Sequence, residues 1–317
     1  MSELFFGNDA AKVILKKAAG SQDHHHAYLL YGEDGLGKKT LARLFAEAFL
    51  CTGEDKPCGR CPACKKMEHG THPDFQMIVG EKKNSIHIDS VRKIRQDCVV
   101  KPNDGSVKVY LIANIQDMTE EAFNAFLKTL EEPPLHTVFL LTAANLDLLP
   151  ETIVSRVFPV PVYPLPDRLL CRALKERLPK LSDDEAERAA ELAGGNLGKA
   201  IACVQSEEFT QRSGLLEQFV KALYAKREYD VLKVLAVYEK DREQQRQFLG
   251  EIVSLLRRAL LAKTGGAVYS GKGLPFGPQR LVKLIALTEE VRGKLSTNAN
   301  AGILSAYYCA EIWQMIG

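Results

Sequence analysis

No stretch of this sequence is apolar for long enough to cross a membrane. The longest unbroken runs, such as Val109–Ala113, fall far short of the roughly 18 residues a spanning helix needs. The first twenty residues carry Glu3 and Asp9 and lack the basic-then-apolar pattern of an export signal. A surplus of one charge sign is missing too. Lys and Arg number 42 against 40 Asp and Glu, a formal net charge of +2. A dedicated nucleic-acid binder carries a large basic excess, because neutralising phosphate supplies most of its affinity. Contact with DNA is therefore expected only as part of something larger. Cysteine is sparse: eight in 317 residues is thin for a disulfide scaffold. Four of the eight fall between Cys51 and Cys64. In the reducing compartment expected of an unexported chain, such a cluster reads as metal ligands, and the expected location is the cytoplasm. Disorder and fibrous structure are excluded by a composition 46% apolar and 26% charged, the ordinary balance of a globular chain.

At about 150 residues per domain, 317 residues suggest two domains, or three. Ala27–Tyr31 is a short apolar run closed by glycine, and Leu41, Leu44, Phe45, Ala48 and Phe49 then fall on one helix face within Thr40–Leu50. Further strand-like runs stand at Phe75–Val79, Val107–Ile112 and Val138–Leu141. The last two flank a helix-like Thr119–Glu132 that Pro133 and Pro134 terminate. Strands separated by helices predict parallel βαβ units. The proline-bearing Phe158–Pro166 reads as a linker closing this α/β domain, placed at residues 1–163. Beyond it strand signals almost vanish. Residues 164–206 read as short helices around a Gly194–Gly195 turn, and residues 207–317 as longer helices interrupted by the glycine-rich Gly265–Pro278. The expected fold class is an α/β domain, a small helical domain and a larger all-helical domain.

Gly32-Glu-Asp-Gly35-Leu-Gly37-Lys38 follows a strand and opens a helix, the setting in which G-x-x-x-x-G-K reads as a phosphate loop. Glycines let backbone N–H groups face a polyphosphate, the helix N-terminus adds partial positive charge, and Lys38 reaches the outer phosphates. The bland alternative is a glycine turn with a surface lysine. A hydrolytic loop has Ser or Thr next, to ligate Mg²⁺. Here that position is Lys39, and Thr40 lies about 100° further round the helix. The strand over Val107–Ile112 ends in Ala113-Asn114 where an acidic metal anchor belongs, and Asp117 reads as an N-cap for the next helix. Another acid, such as Glu81 after the earlier strand, could still enter such a site. Hydrolysis and a Mg²⁺ site are not expected, while binding of ATP or ADP through Gly32, Gly35, Gly37, Lys38, Lys39 and Thr40 stays open.

Cys58-x-x-Cys61-x-x-Cys64, with Cys51 seven positions upstream, offers four thiolates that can close a tetrahedral structural Zn²⁺ shell. An iron–sulfur cluster would want a further Cys-Pro, but Glu68 stands at that position. Free or redox-active thiols are the other alternative, and His69 and His72 are spare candidates for the fourth ligand. Cys98, Cys171, Cys203 and Cys309 are scattered and read as packing residues.

A phosphate loop, a four-cysteine insert after its helix (about residues 51–72), the phrase Leu130-Glu-Glu-Pro-Pro134 and the phrase Thr152-Ile-Val-Ser-Arg156 follow one another in that order. The combination resembles the AAA+ clamp-loader subunits of bacterial DNA polymerase III, over almost the whole chain. The resemblance implies a phosphate-loop NTPase-like AAA+ domain with a zinc-binding insert, a helical lid and a helical collar. Motor subunits of that family, gamma and tau, keep an intact phosphate loop and an Asp-Glu pair. Lys39, Ala113-Asn114, Ala143-Ala144 at the nucleotide-sensing position and Lys199 in place of a motor arginine point to the delta-prime type, with a degenerate nucleotide site.

The resemblance also implies that Arg156, with Ser155, is an arginine finger acting in trans on a neighbouring motor's ATP. Val157 stands where the family motif has cysteine. Read without it, a lone arginine after a helix is ordinarily a surface ion pair. The implied partners are motor subunits and a delta subunit in a hetero-oligomeric ring, the sliding clamp weakly, and primed DNA through the complex, with no catalysis by this chain and no membrane. Arg92, Lys93, Arg95 and the pairs Lys65-Lys66 and Lys82-Lys83 read as solvated or interface charges rather than a DNA-binding surface. The rival functions are an active clamp-loader ATPase and a zinc-dependent nucleic-acid-binding module.

Overall fold

A parallel sheet is covered by helices on both faces, so its strands are apolar on both sides. The computed structural model, which describes residues 5–21, 23–80, 85–264, 274, 276–295 and 300–316, has such a sheet. Strands β1 (Ala27–Tyr31), β2 (Phe75–Ile78), β3 (Lys108–Ile112), β4 (Thr137–Ala143) and β5 (Phe158–Pro161) run parallel in the order β2-β3-β4-β1-β5. In register, Tyr28 lies opposite Leu140 on one side and Phe158 on the other. Between the strands run α1 (Asp9–Gly20), α2 (Lys38–Leu50), α3 (Pro62–Glu68), α4 (Ile88–Cys98), α5 (Glu120–Glu131) and the single turn α6 (Glu151–Val154). Side chains alternate across the pleat. Tyr28, Leu30, Leu111 and Leu140 enter one core with α1 and α2, while Leu29, Ile112, Phe139 and Leu141 enter the other with α4 and α5.

Two local expectations give way. Phe158–Pro161 is not a linker but the edge strand β5. The Val162 N–H donates to Tyr31 O (2.8 Å), so Pro159 and Pro161 turn their N–H-less nitrogens to the open side, where no ladder bond is lost. The cap of α5 is Thr119 rather than Asp117, since Thr119 Oγ1 accepts the Ala122 N–H at 3.2 Å. Asp117 instead closes a short 3-10 turn, Ile115–Asp117.

The remaining helices are α7 (Asp167–Arg177), α8 (Asp183–Ala193), α9 (Leu197–Gln205), α10 (Glu207–Tyr224), α11 (Glu228–Ala236), α12 (Arg242–Lys263), α13 (Pro278–Lys294) and α14 (Ala301–Ile316). The chain divides into two compact units: Met1–Ala173 with Ala193–Lys199, and Leu174–Leu192 with Ala200–Gly317. The second unit packs Phe219, Phe248, Ile252, Leu284, Tyr308 and Ile312 into one core. It also buries a charged cluster. Arg212 meets Glu251 at 3.1 Å, Arg188 meets the same carboxylate at 3.6 Å, and the Arg188 guanidinium lies over the Phe209 ring. The glycine-rich segment falls largely outside the described residues, as do Glu81 and the Lys82-Lys83 pair. Among the described residues no helix is long and apolar enough to cross a membrane.

Candidate functional site

Open parallel sheets place ligands beyond the carboxyl ends of their strands. The turn from β1 to α2, Gly32–Gly37, occupies that position. Its backbone needs glycine: Gly35 and Gly37 have φ of 90° and 87°, a region costly for any residue with a Cβ. A Cβ on Gly37 would also approach Phe5 to 2.9 Å. The first turn of α2 has no side-chain cap and no acidic residue, leaving its N–H groups and dipole for an anion.

Lys38 is buried and folded back onto the loop rather than extended outward. Its Nζ donates to Gly32 O (2.5 Å), Glu33 O (2.9 Å) and Asp34 Oδ1 (3.1 Å). Lys39 and Thr40 are exposed on the first turn of α2. The segment Gly195-Asn-Leu-Gly-Lys199 straps the loop from the other side. Asn196 Nδ2 donates to Asp34 O (2.7 Å), the Gly198 N–H to Gly35 O (2.9 Å), and Lys199 Nζ pairs with Glu33 (2.9 Å). Hydrogen bonding and charge from Lys199 hold the Glu33 carboxyl below the usual range. Both loop carboxylates thus face lysines. Where β3 ends, the Asn114 N–H donates to Thr142 Oγ1 (2.9 Å) at the position expected to lack an acid.

The four cysteines of the insert come together: one ligand atom from each of Cys51, Cys58, Cys61 and Cys64 lies within 4.8 Å of all the others. Sulfur–sulfur separations are 3.9 Å for Cys51–Cys61 and 4.0 Å for Cys58–Cys64. A tetrahedron of Zn–S bonds near 2.3 Å has edges of about 3.8 Å, so the arrangement fits such an ion. Backbone N–H groups of Gly53 and Cys58 point at the Cys51 sulfur, and those of Cys61 and Cys64 at Cys58 and Cys61 respectively (3.3–3.4 Å), which favours thiolates. Burial resists ionisation of Cys61, but N–H donors of Cys64 and Thr52 bring its thiol down to about 5. His72 lies outside this set, with Nδ1 accepting the Asp74 N–H at 3.2 Å, and His69 caps α3 at the surface.

Arg156 follows α6 and is about one-third exposed. Its Nη2 donates to Glu131 Oε1 (3.0 Å), and its Nη1 to Thr152 O (2.9 Å) and Ser155 Oγ (3.2 Å). The ion pair of the bland reading is therefore present. Arg156 stands just before β5, and main-chain groups of Arg156 and Leu130 border the ring of His26, just before β1. The arginine thus occupies the amino end of the sheet. The Gly32–Gly37 loop lies at the carboxyl end of β1, five residues on, or about 17 Å at 3.3 Å per residue.

Sequence reasoning passed over Glu33, Asn196 and Glu131. Asn196 lies inside the phrase that drew attention to Lys199, and Glu131 inside Leu130–Pro134, but only the fold supplies their partners. Of the basic residues, Arg92 pairs with Asp89 within its own helix and Lys66 with Asp104.

The family model described as "DNA polymerase III, delta subunit" matches residues 7–166. The DNA polymerase III subunit delta' of Escherichia coli is 30% identical over 270 residues, covering 84% of this chain and 78% of that protein. The subunit gamma of Buchnera aphidicola from Acyrthosiphon pisum is 31% identical over 248 residues, covering 73% of this chain and 66% of that one. Among solved structures, a gamma-subunit-related protein of Thermotoga maritima aligns over 98% of this chain and 99% of its own, at 22% identity and a TM-score of 0.41.

Proposed function

This chain belongs to the delta-prime family of DNA polymerase III subunits, and from that premise we propose that it is a non-motor member of the clamp loader. In this reading it supports ATP-driven loading of the sliding clamp on primed DNA in the cytoplasm and donates Arg156 to the ATP site of a neighbouring motor subunit. The observation that carries the reading is the placement of Arg156 at the opposite end of the sheet from the chain's own phosphate loop. An arginine so placed cannot serve its own loop. It is about one-third exposed, permanently charged and planar, the properties needed to meet a γ-phosphate supplied by another subunit.

The chain's own nucleotide site is degenerate in this proposal. Lys39 offers an ammonium where a metal-binding hydroxyl belongs, β3 ends without an acid, and Lys38 is engaged by its own loop. Cys51, Cys58, Cys61 and Cys64 would hold a structural Zn²⁺, which supplies a fixed crosslink and no chemistry. Residues 1–163 would form the AAA+ domain, 164–206 the lid and 207–317 the collar. The ring partners would be motor subunits and a delta subunit, with weak contact to the clamp and contact with DNA only through the complex.

The test is steady-state ATP hydrolysis. The isolated chain with Mg²⁺ is expected to show no turnover. Hydrolysis abolished by Lys38→Ala would make the chain a motor and overturn the reading. In the reconstituted complex, Arg156→Ala is expected to leave assembly intact and to lower turnover at least about tenfold, a modest share of what a transferred arginine contributes. Unchanged turnover in an assembled ring would refute the finger.

A further inference from the structure

The geometry points to Glu131 as the positioning residue of Arg156, an inference that rests on the finger role proposed above. The two phrases Leu130–Pro134 and Thr152–Arg156 are far apart in sequence, yet they meet at the amino end of the sheet. Glu131 is the last residue of α5, whose C-cap is Glu132 and whose path Pro133 and Pro134 turn away. The carboxylate is therefore fixed at a helix end rather than carried on a loop. Arg156 leaves α6 with its guanidinium shared among Glu131 Oε1, Thr152 O and Ser155 Oγ.

The arrangement holds the guanidinium without using all of its donors. A guanidinium carries five N–H donors. Three contacts on Nη1 and Nη2 leave the Nε–H and one Nη2–H without a hydrogen-bond partner among the described residues. Two charged donors thus remain for the oxygens of a phosphate. A free arginine would lose much of its rotamer freedom on capture by a phosphate. Here the carboxylate and the Thr152 carbonyl impose that ordering before the neighbour arrives, so the binding step has less to order. Ser155 contributes to the same cradle, which gives the serine of the second phrase a role beside its arginine. In this inference Glu131 acts on Arg156, which it touches, and its effect passes wholly through the arginine.

The experiment uses the complete clamp-loader complex assembled with wild-type, Glu131→Ala, Glu131→Gln, Arg156→Ala and Glu131→Ala/Arg156→Ala chains. Glu131→Ala is expected to lower kcat for ATP by about threefold to tenfold, the scale of one long side chain released from an exposed ion pair, with KM unchanged. Glu131→Gln keeps an acceptor and is expected to recover part of that loss. The double variant is expected to match Arg156→Ala alone, because the carboxylate then has nothing to position. If Arg156→Ala lowers turnover while Glu131→Ala matches wild type, positioning fails and the finger stands. Further loss in the double variant, or a lowered melting temperature of the free Glu131→Ala chain, would make Glu131 a structural residue and overturn the inference. Wild-type turnover by Arg156→Ala itself would instead remove the finger on which it rests.

Discussion

Removing the metal proposed for the four-cysteine cluster is expected to destabilise the first unit by an amount its geometry sets. Cys51 to Cys64 encloses fourteen residues, and the crosslink lies between the end of α2 and the middle of α3. Closing a loop of that length is worth about 3 kcal/mol on chain-entropy grounds. The insert also delivers Met67, 2% exposed, into the core shared with α1 and α2, and its carbonyl receives Arg43 Nη2 at 2.6 Å. Returning one buried methionine to water costs a further ~1.5–3 kcal/mol. The sum, roughly 4.5–6 kcal/mol, is a large part of the ~5–15 kcal/mol that ordinarily holds a domain together. At about 2–4 °C per kcal/mol, the melting temperature should fall roughly 9–24 °C.

The assay pairs metal content per chain, read by a chromogenic chelator after thiol displacement, with circular-dichroism melts before and after chelation. One ion per chain and a melt lowered on its removal are expected. Cys61→Ser should reproduce the shift, and Cys98→Ser, buried against another core, should leave the metal content alone. A chain purified with no metal, or melts that superimpose after complete removal, would refute the crosslink.

Where local pattern and global packing agree, the sequence was legible. Leu29, Tyr110, Ile112 and Phe139 lie in runs whose apolar character only a covered parallel sheet explains, and β1, β3 and β4 stand within two residues of their expected ends. Phe158–Pro161 was misread because two prolines look like a linker until one knows which side of the strand is open. Cys51 illustrates the same limit at the four-cysteine cluster. Spacing left His69 and His72 as rivals, and the fold brings the four sulfurs together while directing His72 toward Asp74. The strap over Gly32–Gly37 was invisible for a different reason: Asn196 and Asp34 are 162 residues apart, and no periodicity links them. Glu131 was in plain view within a recognised phrase, but a carboxylate acquires a role only from the partner that the chain path brings to it.

Three further outcomes follow from buried polar groups. Glu251→Ala strips Arg188 and Arg212 of the buried carboxylate they share and should cost about 3–5 kcal/mol in chemical denaturation. A loss under about 1 kcal/mol would mean that Glu208, which also meets Arg212 at 2.6 Å, suffices. Asn196→Ala should leave the fold intact but raise proteolysis and amide exchange at Gly32–Gly37, since Asp34 O and the Lys199 N–H both lose their partner. The third concerns acid. Burial pushes the Asp74 carboxyl up, but the Asn103, Asp104 and Gly105 N–H groups and Asn103 Nδ2, at 2.6–3.2 Å, outweigh it and hold the group below its ordinary 3.8. The unfolded chain therefore takes up this proton before the native one does. Its stabilisation is complete above about pH 3.8 and drains away as pH falls below that value toward the lowered native one. Asp74→Asn should cost about 1.5–3 kcal/mol at neutral pH. It should also flatten the acid limb of a stability–pH curve, and an unchanged limb would show that Asp74 is not held ionised by those donors.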